Sequence, residues 1–388
     1  MGRKLLYVIV AVSFCLFMLM AAGCRNATGS EHAAETTGET DGATGGEKDG
    51  ETDVAGNNLE ESHYIAFVQK SLNTYFHRIV NASVQFYTLK EGWKYESAIA
   101  DYDQTRQNQQ MIDFCRKKPD VLITAPIDKE TINPAIETVN ETGIPVMLVD
   151  TESTGGEVAL TVNFDNYLAG QMAAREIVRL LTEKYQTPRG VVAHSYGMTG
   201  SSAYTYRKKG FEDEISRYPE IKCVSGNMKG DAKTAREWLQ GVLEKGEAID
   251  AVHCSSDYPA RGLAEALQEA GKWKKQGEPG HIIFVTIDGD PYAADQIREG
   301  YYDTSVVQDA VGYGKILVTL LRDYLFQGKD IPEGSYFLEG TYWEKFEVTK
   351  DERGLHAVVP PYLMNRENAL DKRNWSNIAR EEWGYEYN

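Results

Sequence analysis

Residues 282–291 read IIFVTIDGDP. Six apolar or β-branched residues with no polar alternation are the pattern of a short strand covered on both faces. The run ends on Asp288, Gly289 allows a sharp turn, and Asp290 stands immediately before Pro291. Asp followed by Pro marks a helix start, because the carboxylate accepts from orphan N–H groups and proline has none to lose. A buried strand, a polar tip, a turn and a capped helix make up one unit of a parallel α/β sheet.

The same unit recurs on both sides of this stretch. Apolar runs lie at Tyr64–Val68, Val121–Thr124, Val146–Val149, Gly190–Ala193 and Ala251–Cys254. Between them, Ile132, Ala135, Ile136 and Val139 share one helical face, as do Leu168, Met172, Ile177 and Leu181. Asp231 and Asp257 precede further helical stretches as expected caps. The alternation predicts a doubly wound α/β architecture of roughly nine or ten units, too many for one sheet, so two lobes are expected. In such sheets ligands bind beyond the carboxyl ends of the strands. The candidate tips are therefore Ser71 to His77, Asp150-Thr151, His194, Ser255-Ser256-Asp257 and Asp288-Gly289-Asp290.

The 388 residues carry 41 Lys and Arg against 58 Asp and Glu, a net charge of −17. That acidity excludes a nucleic-acid binder, whose affinity would come from clustered bases. The N-terminus differs from the rest. Arg3 and Lys4 precede an uncharged run from Leu5 to Ala22, an export-signal pattern. Ala21-Ala22-Gly23-Cys24 then resembles the lipobox of bacterial lipoproteins, with Ala21 where Leu is usual. The resemblance implies a signal over 1–23 and lipidation at Cys24; an uncleaved anchor helix is the alternative. Either arrangement ties the protein to the outer side of a membrane. Residues 25–62 hold ten acids and two bases with almost no large apolar side chain, so 24–62 is expected to be a solvated acidic tether. Cys115, Cys223 and Cys254 have no metal-ligand spacing and are expected to be buried free thiols, a disulfide being the alternative.

Six stretches of 63–330, in order, resemble the type I periplasmic binding proteins of the ribose/galactose class, the solute receptors of ABC transporters. They are IAFVQKSLNTYFHRIV (65–80), ITAPIDKETINPAIETVNETGIPVMLVDTEST (123–154), VNFDNYLAGQMAA (162–174), GSSAYTYRKKGFEDEI (200–215), AVHCSSDYPARGLAEAL (251–267) and VTIDGDPYAADQIREG (285–300). The resemblance implies two parallel-sheet lobes joined by a three-segment hinge. Lobe one would be 63–163 with 309–333, lobe two 164–308 with 334–368, and 369–388 an aromatic extension packed on its parent lobe. The hinge would include Phe164-Asp165 and Gln308-Asp309.

Sugar recognition needs apolar faces for C–H surfaces and paired polar groups for hydroxyls, and carboxylates strengthen those bonds. Asp150 and Asp288 qualify by their strand-tip position. The resemblance adds Gln308 as a ligand amide, Phe76 as a stacking ring, His77 at a second aromatic position, and Ser256-Asp257 where the family has Asn-Asp. Thr151 and Thr205 stand where pentose binders carry ligand arginines, so a ligand other than ribose is expected. Arg207 aligns with an arginine outside that set. Tyr204 and Tyr206 suggest added aromatic walls.

The expected function is capture of a sugar-like solute for a permease by a membrane-tethered monomer, without cofactor or metal. The alternative is a sensor lipoprotein feeding a kinase or chemoreceptor. An exported enzyme is disfavoured: the sequence has no G-x-S-x-G, H-E-x-x-H or phosphate-loop motif. A repressor of the same fold would need a helix-turn-helix where the export signal stands.

Overall fold

The computed structural model describes residues 62–387. The expected signal, the Cys24 lipidation and the tether lie outside the described residues. From Tyr64 the chain alternates β1 (Tyr64–Gln69), α1 (Tyr75–Lys90), β2 (Lys94–Ile99), α2 (Gln104–Cys115), β3 (Val121–Thr124), α3 (Asn133–Asn140), β4 (Val146–Val149) and β5 (Leu160–Phe164). It then runs α4 (Asn166–Tyr185), β6 (Gly190–Tyr196), α5 (Ser202–Ile215), β7 (Ile221–Asn227), α6 (Ala232–Glu244) and β8 (Ala251–Cys254). α7 (Asp257–Glu269), β9 (Ile283–Asp288), α8 (Pro291–Glu299), β10 (Thr304–Val307) and α9 (Ala310–Asp323) follow. Four late strands complete the fold: β11 (Gly334–Phe337), β12 (Lys345–Asp351), β13 (Gly354–Val359) and β14 (Tyr362–Met364).

Two sheets result. One has the order β11-β12-β13-β5-β4-β3-β1-β2 and the other β14-β10-β9-β8-β6-β7. Pairing is parallel except where β11, β12 and β14 join. The central strands β1, β3, β4 and β8 are buried along their whole length, which their apolar sequences require. β2 and β7 sit at sheet edges and are half-buried or exposed at every position but Ile221, so they tolerate Lys94, Glu96 and Lys222.

The chain crosses between sheets three times. β5 leads through Asp165 into α4, β10 leads through Gln308-Asp309 into α9, and β13 leads through Pro360-Pro361 into β14. The first two crossings are short because an Asp ends each one by capping the next helix. Asp165 accepts from the Leu168 N–H at 2.8 Å, and Asp309 accepts from Val311 and Gly312 N–H, both at 3.0 Å. The prolines of the third fix φ in both residues and stiffen it.

Three expectations need correction. Residues 334–359 do not join the second lobe: β13 pairs in parallel with β5, so β11–β13 extend the first sheet and only β14 enters the second. The 354–359 run has the apolar positions to cover an edge that β5 would otherwise expose. Of the three cysteines expected to be buried only Cys254 is: Cys115 is half-buried and Cys223 is exposed, because edge strand β7 turns it to solvent; all three are unpaired.

The end of the chain packs across both lobes rather than on its parent. Trp375 is fully buried, its ring 5.9 Å from Tyr75 and 6.4 Å from Phe76 on α1. Arg380 pairs with Asp295 on α8. Among the described residues no helix is long and apolar enough to cross a membrane.

Candidate functional site

The carboxyl ends of β1, β4, β9 and β10 converge on one polar chain of side chains. Lys70, one residue past β1, places Nζ 2.6 Å from Asp150 Oδ2 and 3.0 Å from Thr151 Oγ1, both just past β4. Asp150 Oδ1 accepts from Gln308 Nε2 at 3.2 Å. Gln308 also donates to Tyr313 Oη at 2.8 Å, and its carbonyl oxygen accepts from Arg207. Arg207 then donates to Asp288 Oδ1 at 2.7 Å and to the Ser255 carbonyl at 2.8 Å. The other oxygen of Asp288 accepts from Ser256 Oγ at 2.6 Å and from the Asp257 N–H at 3.2 Å. The network thus runs from the first sheet to the second without a break.

Backbone geometry sets both carboxylates apart. Asp150 has φ +67° and Asp288 φ +129°, conformations that side-chain-bearing residues adopt rarely and at a cost of about 1–3 kcal/mol. Such strain persists where surrounding contacts hold it, and at Asp288 they are plain: its carbonyl accepts from Gln308 N and from Trp375 Nε1, both at 3.0 Å.

The electrostatics are those of two balanced pairs, Lys70 with Asp150 and Arg207 with Asp288. Burial, the largest single influence, pushes the Asp150 carboxyl up, but the Lys70 charge and hydrogen bond together with the other cationic groups nearby outweigh it and the net shift is downward, so Asp150 stays ionised. His77 is pushed down to about 3, first by burial and then by Lys70, and is a neutral ring at physiological pH. Burial, helped by Asp288, pushes the Tyr204 phenol up to about 12. With no net charge and with both donors and acceptors, the network suits a neutral polyhydroxylated molecule better than an ion. Phe76 contributes an apolar face, edge-on to Tyr313 at 5.9 Å.

The structure brings together most of the expected site residues. Asp150, Thr151, Ser256, Asp288 and Gln308 are in the network, and Phe76 and His77 sit beside it on α1. Two expected residues are not placed to meet a ligand. Thr205 is exposed and donates to the Thr199 carbonyl at 3.0 Å, because on α5 it points about 100° away from the face shared by Tyr204 and Arg207. Asp257 is the first residue of α7 rather than its cap, and it lies beneath the site with Oδ2 accepting from the Asp290 N–H at 2.7 Å. His194 is also in the core, where its Nδ1 is 2.8 Å from that of His253 and its ring stacks on Phe211. Of the two α5 tyrosines, Tyr206 faces solvent.

Sequence reasoning missed Lys70, Arg207 and Asn166, which accepts from Arg207 Nε at 2.9 Å. Lys70 lies one residue before the first strand tip as drawn. Arg207 was legible as an i, i+3 partner of Tyr204 on one helical face. A separate hollow of about 770 Å³ lies at the opposite, amino ends of β9 and β10. Among its charged groups Arg179 pairs with Glu176 and His281 with Asp303.

Two sheets of parallel strands, three short crossings and a polar network at the facing strand ends define a two-lobed solute receptor of the type I periplasmic binding class. Sequence comparison agrees: the periplasmic binding protein domain matches residues 65–330, and the chain belongs to that family. It is 26% identical over 277 residues to the ribose import binding protein of Bacillus subtilis, covering 71% of this chain and 85% of that protein. It is 28% identical over 182 residues to the D-allose-binding periplasmic protein of Escherichia coli, covering 47% of this chain and 55% of that one. Among solved structures, an ABC transporter solute binding protein of Bacillus halodurans with bound myo-inositol superimposes with a TM-score of 0.65 at 22% identity, over 80% of this chain and 97% of that one.

Proposed function

We propose that the protein captures a neutral sugar or polyol between its two lobes and delivers it to the permease of an ABC importer. The observation that carries this reading is the unbroken chain Lys70–Asp150–Gln308–Arg207–Asp288–Ser256, which joins the strand ends of both sheets. Asp150 and Asp288 accept from ligand hydroxyls, Arg207, Lys70 and Gln308 donate to ring or hydroxyl oxygens, and Phe76 covers a C–H face. A ribose import binding protein and a D-allose-binding periplasmic protein among its relatives support the substrate class. The protein acts as a binder rather than an enzyme, a reading supported by relatives that are binding proteins. We also read it as a lipoprotein held at Cys24 on the extracytoplasmic face, working as a monomer at the end of its acidic tether. Replacing Cys24 with Ser is expected to move it from the membrane fraction to the medium or periplasm.

The test is a thermal-shift panel of D-ribose, D-allose, D-galactose, xylitol and myo-inositol. At least one is expected to raise the melting temperature, since ligand at one hundred times Kd stabilises by about 2.7 kcal/mol. Asp288→Ala should remove the shift. No response to any of these compounds would count against a sugar or polyol site.

A further inference from the structure

The residues after Asn368 form a strap fastened to both lobes. On the first, Tyr75 Oη donates to the Tyr385 carbonyl at 2.9 Å, the Tyr387 ring lies 4.6 Å from Tyr75, and Trp383 lies 5.0 Å from Phe86. On the second, Arg380 pairs with Asp295, Tyr387 Oη donates to Asp290, and the Arg261 guanidinium sits 4.4 Å over the Tyr387 ring. The strap lies beyond residues 65–330, the span of the family domain. At its start, Asn374 is held by Tyr362 Oη and by the Asn368 carbonyl, which fixes where Trp375 enters.

Trp375 is the point where this strap reaches the site. It is fully buried, and its one N–H donates to the Asp288 carbonyl at 3.0 Å. That carbonyl is shared with the Gln308 N–H, also at 3.0 Å, so a single acceptor couples two site residues to the indole. On the first lobe the same ring lies 5.9 Å from Tyr75, tilted by 35°, and 6.4 Å from Phe76, nearly perpendicular to it. The indole therefore bears on one site residue from each lobe, the strained Asp288 and the apolar face Phe76.

We propose that Trp375 is a positioning and specificity-determining residue of the binding site, supplied by a segment outside the family domain. It holds Asp288 in its positive-φ conformation through the carbonyl bond and sets the separation between that carboxylate and the Phe76 ring. The fit to one stereoisomer of a polyol depends on that separation. This rests on the site proposed above, and its test has an arm that does not require a ligand.

Trp375→Phe keeps one buried aromatic ring and removes the donor with the pyrrole ring that carries it; Trp375→Leu removes the aromatic ring as well. In ligand-free full-length protein, hydrogen exchange is compared over 286–290 and 305–309, with β3 and β4 as internal controls. Losing one bond to a shared acceptor is expected to speed exchange at Gly289, Asp290 and Gln308 in Trp375→Phe by about three- to tenfold, with the controls unchanged. Unchanged rates at those amides, or equal acceleration in the controls, would overturn the proposal. In the second arm D-ribose, D-allose, xylitol and myo-inositol are compared by thermal shift. Both variants should alter the order of response, whereas an unchanged order with uniformly lower melting temperatures would reduce Trp375 to packing. If the wild type answers to none of the four, the sugar reading fails, and the exchange arm still decides the role of Trp375.

Discussion

The side-chain nitrogen of Gln308, at the end of β10, lies 3.2 Å from Oδ1 of Asp150, at the end of β4. One amide thus spans the two sheets, with its oxygen on Arg207 and its nitrogen on a carboxylate. Gln308→Glu keeps the shape but sets two carboxylates face to face. We expect sugar affinity, measured by calorimetry, to fall about thirtyfold, the equivalent of about 2 kcal/mol for a lost bond to a charged group. Affinity within twofold of wild type would contradict the bridging role.

Arg207 and Thr205 are two positions apart on α5 and should behave oppositely. Arg207→Ala removes a buried guanidinium and leaves the half-buried Asp288 carboxylate without its partner, and is expected to cost about 2–3 kcal/mol in chemical denaturation, with binding lost. Thr205→Ala removes an exposed bond to the Thr199 carbonyl and should change stability by no more than about 0.5 kcal/mol, with binding intact. Loss of binding in Thr205→Ala would restore it to the site.

The placement of Arg207 depends on how closely α4 and α5 pack. A Cβ on Gly170 of α4 would collide with the Arg207 backbone carbonyl, and one on Gly210 of α5 with that of Tyr167. Gly170→Ala must therefore push the helices apart, costing about 1–3 kcal/mol. It should also weaken sugar binding, although residue 170 meets the network only at the Arg207 backbone and at none of its side chains. A variant that is less stable yet binds at wild-type affinity would separate helix packing from the site.

The sequence made the doubly wound architecture readable because the central strands are buried on both faces and carry almost nothing but apolar residues. β3, β4 and β8 match the apolar runs residue for residue. β2 and β7 were hidden, since an edge strand with one covered side carries charges and looks like a loop. The lobe membership of β11–β13 follows from a partner, β5, about two hundred residues earlier, and no local pattern encodes it. The site was legible where strand-tip position alone decides it, at Asp150 and Asp288. Arg207 and Lys70 owe their place to side-chain reach across the crevice, and Trp375 to a strap whose path only tertiary packing fixes.

Beneath the site, burial pushes the Asp290 carboxyl up to about 7, and Asp257 beside it is raised as well. A raised acid binds its proton more tightly in the folded state than in the unfolded one. Its stabilisation is complete below pH 4 or so and is lost as pH rises through about 7. Asp290→Asn still accepts from the Ala293 N–H as a cap, and should flatten the fall in stability across that window. Denaturation curves of both proteins between those pH values check this; parallel pH profiles would mean that Asp290 is ionised throughout.

Titration calorimetry with the panel compound that gives the largest thermal shift, on wild type, Asp150→Ala and Asp288→Ala, tests the central claim most directly. The account predicts one site per chain in the wild type and no measurable heat of binding in either variant, though both remain folded. Undiminished affinity in either one would show that the ligand is not held between these two carboxylates.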